Sequence, residues 1–226
     1  MKLKLHYHPL SSYCHKALIA LYENDIPFEP VVVNLMDPVA SANFRALWPV
    51  GKFPVLEDTG RGHVIAESSV IVEYLDNHYA KKRLIPADAD AGWQARMWDR
   101  FFDLYVMEKQ GKLVEDNLRP AEARDPHGVA KAKETLAKSY AIVEDKLLTG
   151  SGTNWALGDD YTLADCAASP ALFYASLAVP IPETAPNLKA YYERLVRRPS
   201  YLRALKEAEP FFHWVPMDVK PRLPAA

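Results

Sequence analysis

Val50-Gly51-Lys52-Phe53-Pro54-Val55-Leu56 is the stretch that decides the fold, because it places a proline at the mouth of a short apolar strand. Proline cannot donate a backbone hydrogen bond to a neighbouring strand. A cis Phe53–Pro54 bond would turn the backbone amide and carbonyl of Phe53 away from the sheet, where an extended peptide can pair with them. The alternative is an ordinary trans proline that starts an edge strand, and the local sequence alone favours that alternative.

Around this stretch, the first 80 residues alternate strand patterns with helix patterns. Strands are indicated by alternating or continuous apolar residues, and helices by apolar residues three and four positions apart. Val31–Val33 is a continuous apolar run, of the kind buried on both faces of a sheet. The predicted elements are Leu3–Tyr7, a helix over 13–24, Val31–Val33, a helix from the Asp37–Pro38 cap to Leu47, Phe53–Glu57, His63–Ala66 and a helix over Ser68–Tyr79.

This β-α-β-α-β-β-α order predicts an α/β domain over residues 1–80. A parallel crossover joins the first strands, and the glycines of Asp58–Gly62 suit an antiparallel hairpin between the last two. The expected result is a mixed four-stranded sheet with helices on its faces.

Beyond residue 80 the strand patterns stop. Residues 81–88 carry charge and a proline and are predicted to be a linker, and residues 89–226 are predicted to form an all-helical domain. The predicted helices are Ala89–Leu118, one from Asp125–Pro126 to about Leu148 that ends before Gly150 and Gly152, one that starts at the capping box Thr162–Asp165, then Pro186–Val196 and Ser200–Ala208.

The composition excludes several classes of protein. The chain has 226 residues, a net charge of −2 and no long basic run, so neither a nucleic acid nor a membrane surface is expected as a partner. Its two cysteines are too few for a disulfide scaffold or a zinc site, and no metal is expected. Charged and apolar residues alternate at the N-terminus, unlike a signal peptide, so a cytoplasmic location is the default.

Two further segments place polar groups at helix N-termini, where free amides carry partial positive charge. The turn over Pro9–Lys16 holds hydroxyls and a thiol that can contact an anion or a bound thiolate. At Glu67–Ser68, the amides and the Ser68 hydroxyl can bind a carboxylate while Glu67 receives an ammonium group. The alternative at both places is a simple helix cap. In the turn, position alone favours neither the cap nor a functional role.

Taken together, these motifs resemble the cytosolic glutathione transferases over nearly the full length of the chain. The resemblance rests on Ser11–Lys16, Val50–Leu56, Glu67–Ser68 with Glu73–Leu75, and Tyr161–Asp165. It implies a thioredoxin-like N-terminal domain followed by an all-helical C-terminal domain. The Ser-Ser start of the turn is similar to the zeta class, but the chain lacks the proline that other serine-type members often carry at Ser12.

The resemblance also implies residue roles. Phe53, before a cis-Pro54, would pair through its backbone with the cysteinyl part of glutathione. Glu67 and Ser68 would bind the γ-glutamyl end, and Lys52 would lie near the glycyl carboxylate. The Ser11 hydroxyl would stabilise the glutathione thiolate.

Three other residues compete with Ser11 for the sulfur. Ser12 is adjacent, and Tyr7 ends the first strand, where tyrosine-type classes carry their catalytic phenol. Cys14 stands at the second cysteine position of a thioredoxin-like motif, where a lone thiol is usually buried. Cys166, on a predicted core helix, is expected to be a small apolar filler.

A small hydrophobic electrophile is the expected second substrate, bound between the domains. Leu10 and Tyr13 of the turn and Phe101 and Tyr105 of the long helix are the expected lining, with Met97 and Phe102 as further candidates. The aromatic tail Phe211–Trp214 either docks on the helical domain, which we favour, or covers this site.

The function expected from the resemblance is a glutathione transferase, with glutathione as co-substrate and a homodimer as its assembly. A glutathione-dependent isomerase of the zeta type is one alternative. A non-catalytic binding protein on the same fold, such as the stringent-starvation type that associates with RNA polymerase, is another. The presence of Phe53, Pro54, Glu67 and Ser68 counts against a chain that has abandoned the ligand.

Overall fold

Four strands form one mixed sheet in the first part of the chain. In the computed structural model, which describes residues 2–147 and 154–224, the strand order is β2-β1-β3-β4. The strands are β1 Leu3–Tyr7, β2 Glu29–Val32, β3 Val55–Asp58 and β4 His63–Ala66. β1 pairs with β2 in parallel and with β3 antiparallel, and β3 pairs with β4 antiparallel, which confirms the predicted crossover and hairpin.

Three helices belong to this sheet, and each begins close to its predicted residue. They are α1 Ser12–Glu23, α2 Pro38–Leu47 and α3 Ser68–His78. α2 starts as predicted, since the Asp37 carboxylate accepts a hydrogen bond from the amide of Ala40 and proline occupies the first turn. α1 begins one residue earlier than predicted because Ser11 acts as its cap.

The prediction that the valine run is buried on both faces of the sheet is wrong. β2 lies at the edge of the sheet, and Val32 is 53% exposed. Only Val33, just beyond the strand, is buried, in a small cluster with Phe44 and Val55. A run of valines does not distinguish an edge strand from a central one, since strand order depends on contacts distant in sequence.

The rest of the described chain is helical, as predicted. The helices are α4 Ala89–Phe101, a π-helical continuation Phe102–Met107, α5 Glu108–Asn117, α6 Pro126–Ile142 with a π-helical end Val143–Leu147, α7 Leu163–Ala175, α8 Pro186–Arg197, α9 Pro199–Ala208 and a 3₁₀ turn Glu209–Trp214. The predicted end at Leu148 and the breaks at Gly150 and Gly152 lie outside the described residues.

α1 connects the sheet to the helical part of the chain. It packs against α3 on one side and against α7 and α9 on the other. Leu18, Ile19 and Leu21 are fully buried in this contact, within a hydrophobic cluster that runs through both parts. The turn before α1 is therefore held at the junction of the two parts.

α7 begins at the predicted capping box, and its acid does more than cap. One oxygen of the Asp165 carboxylate accepts hydrogen bonds from the Thr162 amide at 2.8 Å and the Thr162 hydroxyl at 2.9 Å. The other accepts from the Ala156 amide at 2.8 Å and the Tyr191 hydroxyl at 2.7 Å. Asp165 is fully buried, and these four donors offset part of the cost of removing its charge from water, although burial still raises the pKa of its carboxyl.

Asp165→Asn should destabilise the protein by about 2–4 kcal/mol, because the new amide cannot accept the hydrogen bonds at one of the two oxygen positions. Equilibrium urea unfolding followed by circular dichroism measures the change. Asp160→Asn is the matched control: Asp160 is exposed and pairs only with Lys82, so its loss should cost less than about 1 kcal/mol. Equal unfolding midpoints for the two variants would contradict this role of Asp165.

Candidate active site

A cavity of about 330 Å³ lies between the ends of the sheet and α4. Its volume falls in the ~300–1,000 Å³ range of small-molecule sites. Its lining residues are Tyr13, Val50, Lys52, Phe53, Pro54, Glu67, Ser68, Arg100, Asp103 and Leu104. The structure thus brings together Tyr13 and all five residues that the sequence associated with ligand binding.

The Phe53–Pro54 peptide bond on one wall of this cavity is cis. The trans form favoured by the local sequence is therefore wrong, and the form implied by the family resemblance is correct. Phe53 precedes β3, and neither its N–H nor its C=O is hydrogen-bonded to another backbone group of the described residues. Both groups are thus available to an extended ligand.

The N-terminus of α3 forms a second wall and is not capped. Glu67 occupies the cap position with φ 68° and ψ 116°, and its side chain accepts no hydrogen bond from the helix. A non-glycine residue in this region costs of order 1–3 kcal/mol, and such residues cluster at ligand sites. The simple-cap alternative for Glu67 is thus excluded, and the first amides of α3 remain available to an anion.

A charged node lies behind this wall and joins three helices. We use the term charged node for Lys16 of α1, Ser69 of α3, and Asp99, Arg100 and Asp103 of α4 and its continuation. The Lys16 ammonium, which is 1% exposed, donates to Asp99 Oδ1 and to both oxygens of Asp103 at 2.7 Å. It also donates to the Ser69 hydroxyl at 3.1 Å.

Arg100 and Asp103 of the charged node reach the cavity, and sequence reasoning missed both. The available signal was Lys16, which lies among the apolar residues of a predicted buried helix. A lysine at such a position requires acidic partners, and Asp99 and Asp103 stand four residues apart on one face of the long helix.

The turn that precedes α1 is held by buried contacts. The fully buried His15 donates from Nε2 to the carbonyl oxygen of Pro9 at 2.6 Å, and burial lowers the pKa of His15 to about 4. The Ser11 amide donates to the His8 carbonyl at 3.0 Å. The turn therefore has a fixed shape, with a neutral imidazole beneath it.

Ser11 caps α1, because its hydroxyl oxygen accepts from the Cys14 amide at 3.4 Å. The cap reading of this residue is thus correct, and the hydroxyl hydrogen remains free to donate to another group. Ser11 is half-buried and is not among the residues that line the cavity.

The three competitors of Ser11 differ in their surroundings. Cys14 is completely buried, and burial raises the pKa of its thiol to about 12. Tyr7 is buried in the core, where burial raises the pKa of its phenol. Ser12 is half-buried at the first position of α1.

Of the residues predicted to line an electrophile pocket, Tyr13 alone lines this cavity. Its hydroxyl donates to the backbone oxygen of Asp103 at 3.5 Å, and burial is the main cause that raises the pKa of the phenol. Leu10 and Phe101 pack against the main core instead, and Tyr105 is exposed beside Phe101. Phe102 is wrong as a lining candidate because it is fully buried.

The aromatic tail docks, as favoured, and also contacts the turn. Phe212 is buried against Phe173 of α7, with ring centroids 6.1 Å apart. Phe211 lies edge-on to His8 at 6.0 Å, and His8 in turn stacks on Phe53 at 5.9 Å.

Within residues 2–147 and 154–224, no group of three or more His, Cys, Asp or Glu side chains is arranged to hold a metal ion. None of the helices in this part of the chain is long and apolar enough to cross a membrane.

The amino-acid sequence matches two family models that together cover most of the chain. The model described as "Glutathione S-transferase, N-terminal domain" matches residues 5–83, and the one described as "Glutathione S-transferase, C-terminal domain" matches residues 103–199.

Individual relatives agree with these matches. Glutathione S-transferase GstB of Escherichia coli is 26% identical over 193 residues, which are 84% of this chain and 91% of that protein. A stringent starvation protein A homolog of Coxiella burnetii is 29% identical over 203 residues, 89% and 90% of the two chains. A glutathione S-transferase of Methylobacillus flagellatus, solved with glutathione bound, is 28% identical with a TM-score of 0.78, and the match covers 89% of this chain and 98% of that one.

Cys14 should not react with thiol reagents in the folded protein, because its sulfur is buried and its pKa lies far above neutrality. A Cys166→Ala variant, in which Cys14 is the remaining thiol, allows the measurement with 5,5′-dithiobis(2-nitrobenzoate) at pH 7.5. We expect the native variant to release no thionitrobenzoate. After unfolding in guanidinium chloride, it should release one equivalent per chain. Native labelling at the rate of a small-molecule thiol would return Cys14 to the candidates for the sulfur contact.

Proposed function

The chain belongs to the glutathione S-transferase family, and we propose that it is a glutathione transferase that activates the glutathione thiolate for attack on a small electrophile. The observation that carries this proposal is the cavity in which a cis Phe53–Pro54 bond faces an uncapped helix N-terminus at Glu67 and Ser68. These groups complement an extended peptide whose amino-acid end is zwitterionic.

Each part of glutathione has a proposed partner on this cavity. The free amide and carbonyl of Phe53 pair with the cysteinyl backbone. The α3 amides with the Ser68 hydroxyl bind the γ-glutamyl carboxylate, and Glu67 receives the ammonium group. Lys52, which is exposed on the rim, binds the glycyl carboxylate.

Ser11 is the proposed donor to the glutathione sulfur. A free thiol is only a few per cent ionised near neutrality. One hydrogen bond to sulfur together with the N-terminal field of α1 would supply roughly 2–3 kcal/mol, which lowers the thiol pKa by about two units. The cap bond from the Cys14 amide to Ser11 is compatible with this role, because it uses the oxygen and leaves the hydroxyl hydrogen.

The competitors are weaker on physical grounds. The Cys14 thiol is completely buried and cannot meet a ligand without movement of the core. The Tyr7 side chain is 7% exposed, and burial raises the pKa of its phenol, which favours the neutral form. Ser12 is the nearer competitor, since it shares the turn and is also half-buried.

The second substrate is proposed to be a small hydrophobic electrophile, and the reaction a detoxification. Tyr13 on the cavity wall is the first candidate for its apolar contact. Leu10 and Phe101, which are partly buried against the core, and the exposed Tyr105 are the further candidates. A cytoplasmic location is part of this proposal.

A binding protein without transferase activity is the second candidate, and the 29% identity to a stringent starvation protein A homolog favours it. The strained Glu67 backbone argues for the enzyme. Backbone strain of this kind persists at ligand sites, and a chain that no longer binds glutathione has no use for it.

A homodimer is the proposed assembly. Trp93, Met97 and Leu104 lie on one face of α4 and its continuation, and each is between 43% and 53% exposed. We name these three residues the apolar stripe. Exposed apolar side chains grouped on one face mark interaction surfaces, and Val70 of α3 is also 50% exposed. A second copy of the chain, packed across α3 and α4, would cover the apolar stripe.

Ser11→Ala should lower turnover by about 10- to 100-fold while the affinity for glutathione changes little, because the hydroxyl contacts the sulfur and not the peptide. Steady-state rates with an aryl halide and calorimetric titration with glutathione provide the two measurements. Ser12→Ala is the matched control and should retain the full rate. A full rate in Ser11→Ala would remove its role, and no heat of binding to the wild type at millimolar glutathione would contradict the transferase itself.

Met97→Glu should convert a dimer to a monomer, because a two-fold axis would bury two unpaired carboxylates in one apolar contact. Sedimentation velocity over a concentration series measures the shift, expected to raise the dissociation constant by at least about 10-fold. Ile142→Glu, at a similarly exposed apolar position on α6, should leave the sedimentation coefficient unchanged. A wild-type protein that sediments as a monomer would rule out this assembly.

A further inference from the structure

We propose that Arg100, on the helical part of the chain, is a specificity-determining residue that binds the carboxylate of the γ-glutamyl end of the ligand. This inference rests on the proposed binding of glutathione and adds to it a partner that the sequence motifs do not contain. Recognition of the amino-acid end would then be shared between the sheet, through Glu67 and Ser68, and α4, through Arg100.

Arg100 is positioned at the same cavity as the residues proposed to bind the amino-acid end. It lies in the last turn of α4, and its side chain lines the same cavity as Glu67 and Ser68. The side chain is half exposed, so it is not enclosed by protein. An arginine in contact with the uncapped start of α3 gives that end of the cavity two groups that favour an anion.

Hydrogen bonds to the charged node hold the Arg100 guanidinium in place. Its Nε donates to Asp99 Oδ2 at 3.1 Å, and its Nη2 donates to the Ser69 hydroxyl at 2.7 Å and to the Asp103 carboxylate. All three partners belong to the charged node, and each also accepts a hydrogen bond from Lys16. A preorganised guanidinium loses little side-chain entropy when it binds a carboxylate.

Some N–H groups of the Arg100 guanidinium remain unused. A guanidinium has five N–H groups, and the bonds to the charged node use those on Nε and Nη2. Among the residues that the structure describes, Nη1 has no hydrogen-bond acceptor. Two N–H groups on a fixed and half-exposed arginine are therefore left for a ligand oxygen.

Charge balance supports the same ligand chemistry. Lys16 and Arg100 carry two positive charges, and Asp99 and Asp103 carry two negative ones. The Lys16 ammonium forms ion pairs with both carboxylates at 2.7 Å, so their negative charge is not balanced by Arg100 alone. The charged node is thus close to neutral overall, and the nearby Glu67 adds an acceptor for an ammonium group. A zwitterionic amino-acid end fits such a site better than a simple anion or cation does.

The test compares two ligands that differ by one carboxylate. Glutathione and 4-aminobutanoyl-cysteinyl-glycine share the amine, the thiol and the glycyl end, but the second lacks the α-carboxylate. Isothermal titration of the wild type and of Arg100→Gln with both ligands gives four affinities. We expect Arg100→Gln to weaken glutathione binding by about 10- to 100-fold and to change the affinity for the shorter ligand by less than about two-fold.

Arg96→Gln is the matched control. Arg96 lies one turn earlier on α4 and is 46% exposed against 50% for Arg100, but it pairs with Glu73 and does not line the cavity. It makes the same change in net charge and should leave both affinities unchanged. Arg100→Lys keeps the charge but loses the planar fork, and it should recover part of the preference for glutathione.

The ratio of the two affinities decides the outcome. A partly unfolded or rearranged variant would lose both ligands by the same factor, so an unchanged ratio in Arg100→Gln overturns this inference even if binding weakens. An unchanged affinity for glutathione overturns it as well. Wild-type protein that binds neither ligand would instead contradict the proposed function, and the two failures are thus distinguishable.

Discussion

The buried ion pairs of Lys16 with Asp99 and Asp103 are the interactions on which the rest of the site depends. Burial of these ions costs several kcal/mol each unless each is paired, and here one lysine donates to two carboxylates and a hydroxyl. The contacts span more than 80 residues of sequence and join α1 to α4. Loss of Lys16, or of either aspartate, would leave an uncompensated charge in the core, so these ion pairs help to fix α1 against α4 beside the cavity.

The charged node also explains how two parts of different architecture form one site. The sheet part supplies the cis Phe53–Pro54 bond and the start of α3. Ser69 is one point of contact beside the cavity, since it accepts from Lys16 and Arg100 and donates to Asp99. The cavity at the ends of the sheet is in this way bounded on a second side by α4 and its continuation, through Arg100, Asp103 and Leu104.

Much of this arrangement was predictable from the sequence, and the reasons for success and failure are physical. Local signals identified the element order, because the cap at Asp37, the capping box at Thr162 and the alternation of Leu3–Tyr7 act within a few residues. The edge position of β2 and the presence of Arg100 in the cavity depend on contacts that are distant in sequence. The residue before a proline has no local feature that selects the cis form, so that bond was predicted only by resemblance. The role of Ser11 stays a prediction, because a cap and a donor to sulfur require the same residue at the same place.

Glu67 has a consequence beyond ligand binding. Its left-handed φ of 68° is one that glycine adopts without penalty and that a side chain resists. Glycine there would relieve the backbone and raise the stability of the fold, but it would delete the carboxylate at the mouth of the cavity. Stability and ligand chemistry therefore select opposite residues at position 67. With glutamate at this position, the chain keeps the carboxylate at the cost of a strained backbone.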